Sequence, residues 1–244
     1  MRLDEDRLNA TSLERILPDE LSANEATGSE TLRLHLERYQ FAKRNLVPGT
    51  LLDLACGAGY GTALLSGDPQ ITHAVGVDIS AAAVEYAIKR YPGKRVSYVC
   101  SEALEFLPKE QFDNIVSLET IEHVDEPEAL FAHLVSLLAP NGRLIASVPV
   151  TPSVDANPHH KSNFTIKSFT RLGACFSLKC VRRLCQVQPF NPLKVALKTE
   201  ARTTNLRRGL PFFYLQKPSH FFLRIWSTLR HGFVNKYVTL VWQK

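Results

Sequence analysis

Residues 51–62, Leu-Leu-Asp-Leu-Ala-Cys-Gly-Ala-Gly-Tyr-Gly-Thr, constrain this chain more than any other stretch. An apolar run stops at a glycine-rich turn, and a helical pattern follows. Gly57, Gly59 and Gly61 admit positive φ and let a ligand lie against bare backbone. The turn would point the free N–H groups of a helix N-terminus at that ligand. Asp53 lies inside the apolar run, where an unpaired carboxylate is costly, so it is expected to hydrogen-bond the turn or a ligand. The spacing is G-x-G-x-G, not the G-x-G-x-x-G of dinucleotide binders.

A second apolar run, Val75-Gly76-Val77-Asp78, ends on an acid 21 residues after Gly57. An acid at the tip of the next strand is where doubly wound folds hold a ribose diol. With these residues the sequence resembles the class I S-adenosylmethionine-dependent methyltransferases, whose first motif reads D-x-G-C-G-x-G. Here it reads Asp53-Leu54-Ala55-Cys56-Gly57-Ala58-Gly59, with Ala55 in place of the first glycine. The A-C-G-x-G-Y-G form is similar to bacterial sugar and surface-polysaccharide methyltransferases, and the resemblance covers roughly residues 30–175. It implies S-adenosylmethionine as cofactor, held by Asp53, Ala55, Gly57, Gly59, Asp78 and Ile79. Glu102 and Ala103, after the third strand, match the family's adenine-contacting segment. The segment His35–Ala42 is similar to an R-Y-x-F-A element of the same enzymes. It would place Arg38 and Tyr39 at the cofactor, with the Arg38 guanidinium fork suited to a methionine carboxylate.

The chain has 244 residues, room for one α/β domain with an elaboration. No apolar run approaches the ~20 residues that cross a bilayer. The opening Met-Arg-Leu-Asp-Glu-Asp-Arg is too polar and acidic for a signal peptide, so a cytoplasmic location is expected. Five cysteines give no disulfide framework, and Cys175, Cys180 and Cys185 lack zinc-ribbon spacing. Charge is unevenly divided. Residues 1–150 carry 13 basic and 22 acidic side chains, whereas residues 151–244 carry 16 and 2. Such a basic half implies an anionic acceptor or partner: sugar phosphate, lipid-linked glycan, RNA or acidic lipid surface.

In chain order, 1–29 read as a polar arm. Ser29 is expected to cap a helix over about 30–45 with Leu32, Leu34, Leu36, Tyr39 and Phe41 on its apolar surface. Strands are expected near 50–55, 73–78, 96–100, 112–118, 143–150 and 175–187. Helices are expected near 60–66, 81–91 (capped by Ser80), 130–138 and 166–174. Alternation of this kind predicts a doubly wound α/β fold with a mostly parallel sheet, ligands lying at the strands' carboxyl ends. The resemblance implies a Rossmann-like methyltransferase sheet of seven strands, the last, 236–244, inserted antiparallel. The cofactor-binding core would then span 30–187, and an insertion of about 48 residues, 188–235, would form a basic aromatic cap before the last strand.

After the fourth strand comes Glu119-Thr120-Ile121-Glu122-His123. If helical, Glu119, Glu122 and His123 share one face. Two carboxylates and an imidazole there could bind a divalent ion or set up a histidine base, His123, oriented by Glu122. The E-x-x-E-H pattern resembles ubiquinone-biosynthesis O-methyltransferases and small-RNA 3′-terminal 2′-O-methyltransferases. In the latter both glutamates, the histidine and a later histidine hold a metal, which implies Glu119, Glu122, His123 and His160 as ligands. Glu119, like Asp53, Asp78 and Glu102, also falls at or near an expected strand end, the pattern a cofactor cleft needs. His160 fits through Phe164, Thr165 and Phe169 downstream. Mg, Mn or Zn suits such a site. The expected activity is O-methylation of a sugar hydroxyl on a nucleotide- or lipid-linked glycan, with RNA or quinone acceptors, or a non-catalytic cofactor-binding role, as rivals.

In the cap, residues 219–230 form an amphipathic stripe, Phe222, Ile225, Trp226 and Leu229 opposite Arg224, Ser227, Thr228 and Arg230. Such a stripe more often packs on its own domain, which is the expectation here. A basic aromatic helix of this type can also lie in a membrane interface, which would place the protein peripherally on the inner membrane face. Arg202, Arg207, Arg208 and Lys217 are candidates to face an anionic acceptor.

Overall fold

The computed structural model describes residues 26–191, Leu193 and 206–244. Most of the expected 1–29 arm and Arg202 therefore lie outside the described residues. The buried apolar runs 51–54, 115–118 and 144–148 become strands covered on both faces, as a parallel sheet requires. The strands are β1 (Gly49–Leu54), β2 (Ile71–Asp78), β3 (Val96–Cys100), β4 (Phe112–Leu118), β5 (Leu138–Pro149), β6 (Lys179–Pro189) and β7 (Val234–Gln243). Their order is β3-β2-β1-β4-β5-β7-β6, with β7 antiparallel to both neighbours and the first five strands parallel. This is the doubly wound, seven-stranded, Rossmann-like arrangement anticipated above. The order matters for function because β2, β1 and β4 end side by side.

Helices α1 (Ala26–Lys43), α2 (Tyr60–Ser66), α3 (Ala81–Arg90), α4 (Pro127–Leu137) and α5 (Ile166–Cys175) connect the strands. Ser80 caps α3, its hydroxyl accepting from the Ala83 N–H at 3.3 Å. Thr165 opens α5 with a capping box to Ser168. Helix α1 begins before Ser29, which lies inside it and caps nothing. It buries Leu34, Tyr39 and Ala42, while Leu36 stays exposed. One core layer gathers Phe131, Phe169 and Trp242, whose rings meet edge to face at 5.0–5.3 Å. The other packs Tyr39, Leu51, Leu65 and Ile145. Phe169 is thus a core residue and Thr165 a cap, which accounts physically for two positions of the motif after His160. The five thiols are all free.

Strand β6 extends to Pro189 and β7 starts at Val234, so their connection spans 190–233. Its described part forms α6 (Leu210–Gln216) and α7 (Pro218–His231). Here the stripe expectation is overturned. Helix α7 buries no residue, and Phe222, Ile225, Trp226 and Leu229 are exposed. The side facing the domain is the polar one. Arg224 donates from Nε and Nη2 to Asp155 at 2.7 and 2.6 Å and from Nη2 to the Pro152 carbonyl at 2.7 Å. Tyr214 donates its hydroxyl to the same Asp155 carboxylate at 2.7 Å. A buried carboxylate attracts the guanidinium more strongly than a solvated surface attracts the apolar stripe inward.

Candidate functional site

The glycine turn between β1 and α2 opens the site. Gly57 has φ +55°, and a Cβ placed there would meet nothing within 4 Å, so the turn borders open space. Gly59 has φ +81°, and a Cβ on it would fall 2.5 Å from the Ala87 methyl. Gly61 departs from expectation: it has no positive φ but sits in α2, where a Cβ would strike the Tyr39 ring at 1.9 Å. Ala55, in the family's first glycine position, adopts φ +62°. Left-handed backbone costs a non-glycine residue about 1–2 kcal/mol, and glycine's greater unfolded entropy returns part of that. Ala55→Gly is therefore expected to stabilise the fold by about 0.5–1 kcal/mol, read as a higher denaturant midpoint at unchanged slope.

Asp78 ties the turn to the next strand. Its Oδ2 accepts from the Gly57 N–H at 2.8 Å and its Oδ1 from the Ser80 N–H at 2.9 Å. Ile79 beside it is exposed, as is Glu102 beyond β3, while Ala103 packs partly against the core.

Asp53 is buried behind the turn. Its Oδ2 accepts from the Thr62 hydroxyl at 2.6 Å, and the Tyr39 hydroxyl lies 3.5 Å from both oxygens. Burial pushes the carboxyl up to about 7, the Thr62 and Tyr39 hydrogen bonds opposing and the Asp78 charge assisting. The unfolded carboxyl titrates near 3.8. The folded state binds this proton more tightly, so the site's contribution is complete below pH 3.8 and lost as pH rises through about 7. Wild type is thus expected to lose stability relative to Asp53→Asn between about pH 4 and 7, as seen in paired melting curves.

Glu119 ends β4 in a left-handed conformation, φ +52°. It is not on a helical face with Glu122, because only Ile121–His123 form a 3₁₀ turn. Its Oε1 accepts from the Ser147 hydroxyl at 2.7 Å and lies 3.8 Å from Arg38 Nη1. Arg38 itself is buried. Nε donates to Gln186 Oε1 at 2.8 Å, and the guanidinium stacks 4.4 Å from the Tyr237 ring centroid. Its Nη1 is buried with no hydrogen-bond partner among the described residues.

The remaining chemistry gathers at the 3₁₀ turn. The Glu122 carbonyl accepts from the N–H groups of Lys161 and Ser162 at 2.7 and 3.2 Å, which draws the 153–163 loop against it. His160 is oriented by Ser153, Nδ1 lying 2.7 Å from the hydroxyl. The His123 and His160 rings stand perpendicular with centroids 4.6 Å apart. One oxygen of buried Glu122 and one nitrogen of each imidazole lie within 4.8 Å of one another. Glu119 stands outside this trio, so of the four expected ligands the structure assembles three. Sequence reasoning also missed the parts that hold the site: Ser147, Gln186, Ser153 and Asp155. Asp155 alone left a signal, as one of two acids after residue 150.

A family model described as a methyltransferase domain matches residues 52–146. Phosphoethanolamine N-methyltransferase 1 of Arabidopsis thaliana is 32% identical over 142 residues, 55% of this chain and 28% of that protein. Trans-aconitate 2-methyltransferase of Enterobacter sp. (strain 638) is 36% identical over 109 residues, 45% and 42% of the two chains. The match thus spans well under half of these relatives' lengths. The N-methyltransferase NodS of Bradyrhizobium japonicum WM9 superposes with a TM-score of 0.60 at 15% identity, over 92% of this chain and 99% of that one. Its complex with S-adenosyl-L-homocysteine superposes at 0.53, with 14% identity over 91% and 89%. Sequence and fold agree: the chain carries a methyltransferase domain at residues 52–146, on the fold of the S-adenosylmethionine-dependent methyltransferases.

Proposed function

We propose that this chain transfers the methyl group of S-adenosylmethionine to a hydroxyl oxygen, on a sugar of a nucleotide- or lipid-linked glycan. The observation that carries the reading is the Glu122–His123–His160 trio at the end of β4, beside the glycine turn of β1. Three features suit the cofactor: Gly57 faces open space, the Asp78 carboxylate ends β2 beside that turn, and Arg38 Nη1 is a buried donor suited to a carboxylate. Bound there, it supplies an already activated methyl group.

The protein's task is then alignment and deprotonation. Orienting an acceptor in line is worth up to ~7–11 kcal/mol. A sugar hydroxyl ionises far above neutral pH, so its proton must leave as the new O–C bond forms. His123 accepts that proton, with Glu122 and His160 fixing its surroundings. One carboxylate and two imidazoles also fit a divalent ion, Mn or Zn better than Mg, and such an ion would supply Lewis acidity at the same oxygen. An anionic carrier suits the 16 basic and 2 acidic residues of 151–244. It also suits the phosphate and carboxylate groups of the acceptors in the relatives' names, phosphoethanolamine and trans-aconitate.

The test is transfer of labelled methyl from S-adenosylmethionine into separated cell fractions, with and without a chelator. Label in the glycan or lipid-glycan fraction supports the reading, and chelator sensitivity assigns a metal to the trio. Label confined to short RNA or quinone overturns the acceptor, and cofactor binding without transfer overturns catalysis.

A further inference from the structure

Helix α7 is amphipathic in the inverse sense. Its polar side is latched to Asp155, and its apolar side faces solvent with the apolar residues of α6. Trp226 is 64% exposed, Leu229 80% and Leu215 81%, with Phe212, Phe222 and Phe233 beside them. Leaving this much apolar surface in water, concentrated on two consecutive helices, marks an interaction site. The charge around it has one sign. Residues 206–244 contain no aspartate or glutamate, and Arg208, Lys217 and Arg230 are exposed at the patch.

We infer that the α6–α7 face docks on an anionic lipid surface. Aromatic and leucine side chains seat at the headgroup–acyl boundary, while flanking cations meet acidic headgroups. A second copy of the chain is the poorer occupant. It would bring the same cations to the interface, and this segment offers no carboxylate to neutralise them. Among the described residues no helix is long and apolar enough to cross a membrane. The latch gives the docking a consequence. Arg224 and Tyr214 bind Asp155 in the loop that carries His160, so hydrogen bonds tie the docked face to that loop. The inference does not depend on the acceptor proposed above, because docking is measured without turnover.

The two tryptophans make the test direct. Trp242 is buried in the core and Trp226 is exposed. Titration of the whole protein with phosphatidylcholine vesicles containing phosphatidylglycerol should blue-shift its tryptophan emission and cosediment it. Binding to pure phosphatidylcholine, or by Leu229→Glu, should be at least about tenfold weaker. The variant retains Trp226 as reporter, and unchanged cofactor binding certifies its fold. No blue shift with anionic vesicles overturns the inference. So does equal binding by Leu229→Glu, by neutral vesicles, or self-association that shields Trp226 without lipid.

Discussion

His123→Ala is expected to lower kcat by about 10²–10⁴-fold while leaving the affinity for S-adenosylmethionine within a factor of about two. The separation follows from position. His123 lies on the 3₁₀ turn beyond β4, whereas the groups assigned to the cofactor lie on the β1 turn, at the end of β2 and on α1. The ring is half-buried and is not part of either core layer, so its removal should cost little stability. Single-turnover rates and cofactor titration on the same preparation check both halves. Unchanged turnover would remove His123 from the chemistry, with or without a metal.

Arg224→Ala is expected to be the most damaging change outside the site. It leaves the Asp155 carboxylate, 1% exposed, without its cation. Breaking a buried pair from one side costs about 3–5 kcal/mol, and the partial exposure of Arg224 puts this one near 3. For a chain of this size that is roughly 6–12 °C of melting temperature. Burial alone would raise the Asp155 carboxyl, but the Arg224 hydrogen bonds and charge, with the Tyr214 hydroxyl, hold it below 3.8. The wild-type latch is therefore present at neutral pH and lost as pH falls through that depressed value. The variant should lack this acid-side loss, and melting curves from pH 7 downwards read both effects. Activity should fall too, because the 153–163 loop positions His160 against His123.

The sheet was legible because buried strands announce themselves as short apolar runs between turns. Residues 96–100 and 112–118 match their expected bounds, and the antiparallel last strand lies where the family resemblance put it. The glycine turn was legible for the same local reason: Gly57 lies just past β1, and Asp78, which accepts from its N–H, ends β2. What failed depended on distant partners. Glu119 was grouped with Glu122 by helical spacing, but Ser147, 28 residues away, holds its carboxylate and its backbone turns left-handed. The stripe of α7 was visible in the sequence, but its direction was not. That depends on a single acid, Asp155, 69 residues upstream. The residues that clamp Arg38, Gln186 on β6 and Tyr237 on the neighbouring β7, are likewise far from it in sequence.

The most direct measurement of the central claim is the chemical nature of the bond formed when purified enzyme passes labelled methyl from S-adenosylmethionine to its cell-derived acceptor. The account predicts an ether: label stable to mild base, released by cleavage of methyl ethers, and absent with His123→Ala. Base-labile label would mean a carboxyl ester, and label retained on an amine would mean N-methylation. Either would contradict a hydroxyl acceptor at the Glu122–His123–His160 trio.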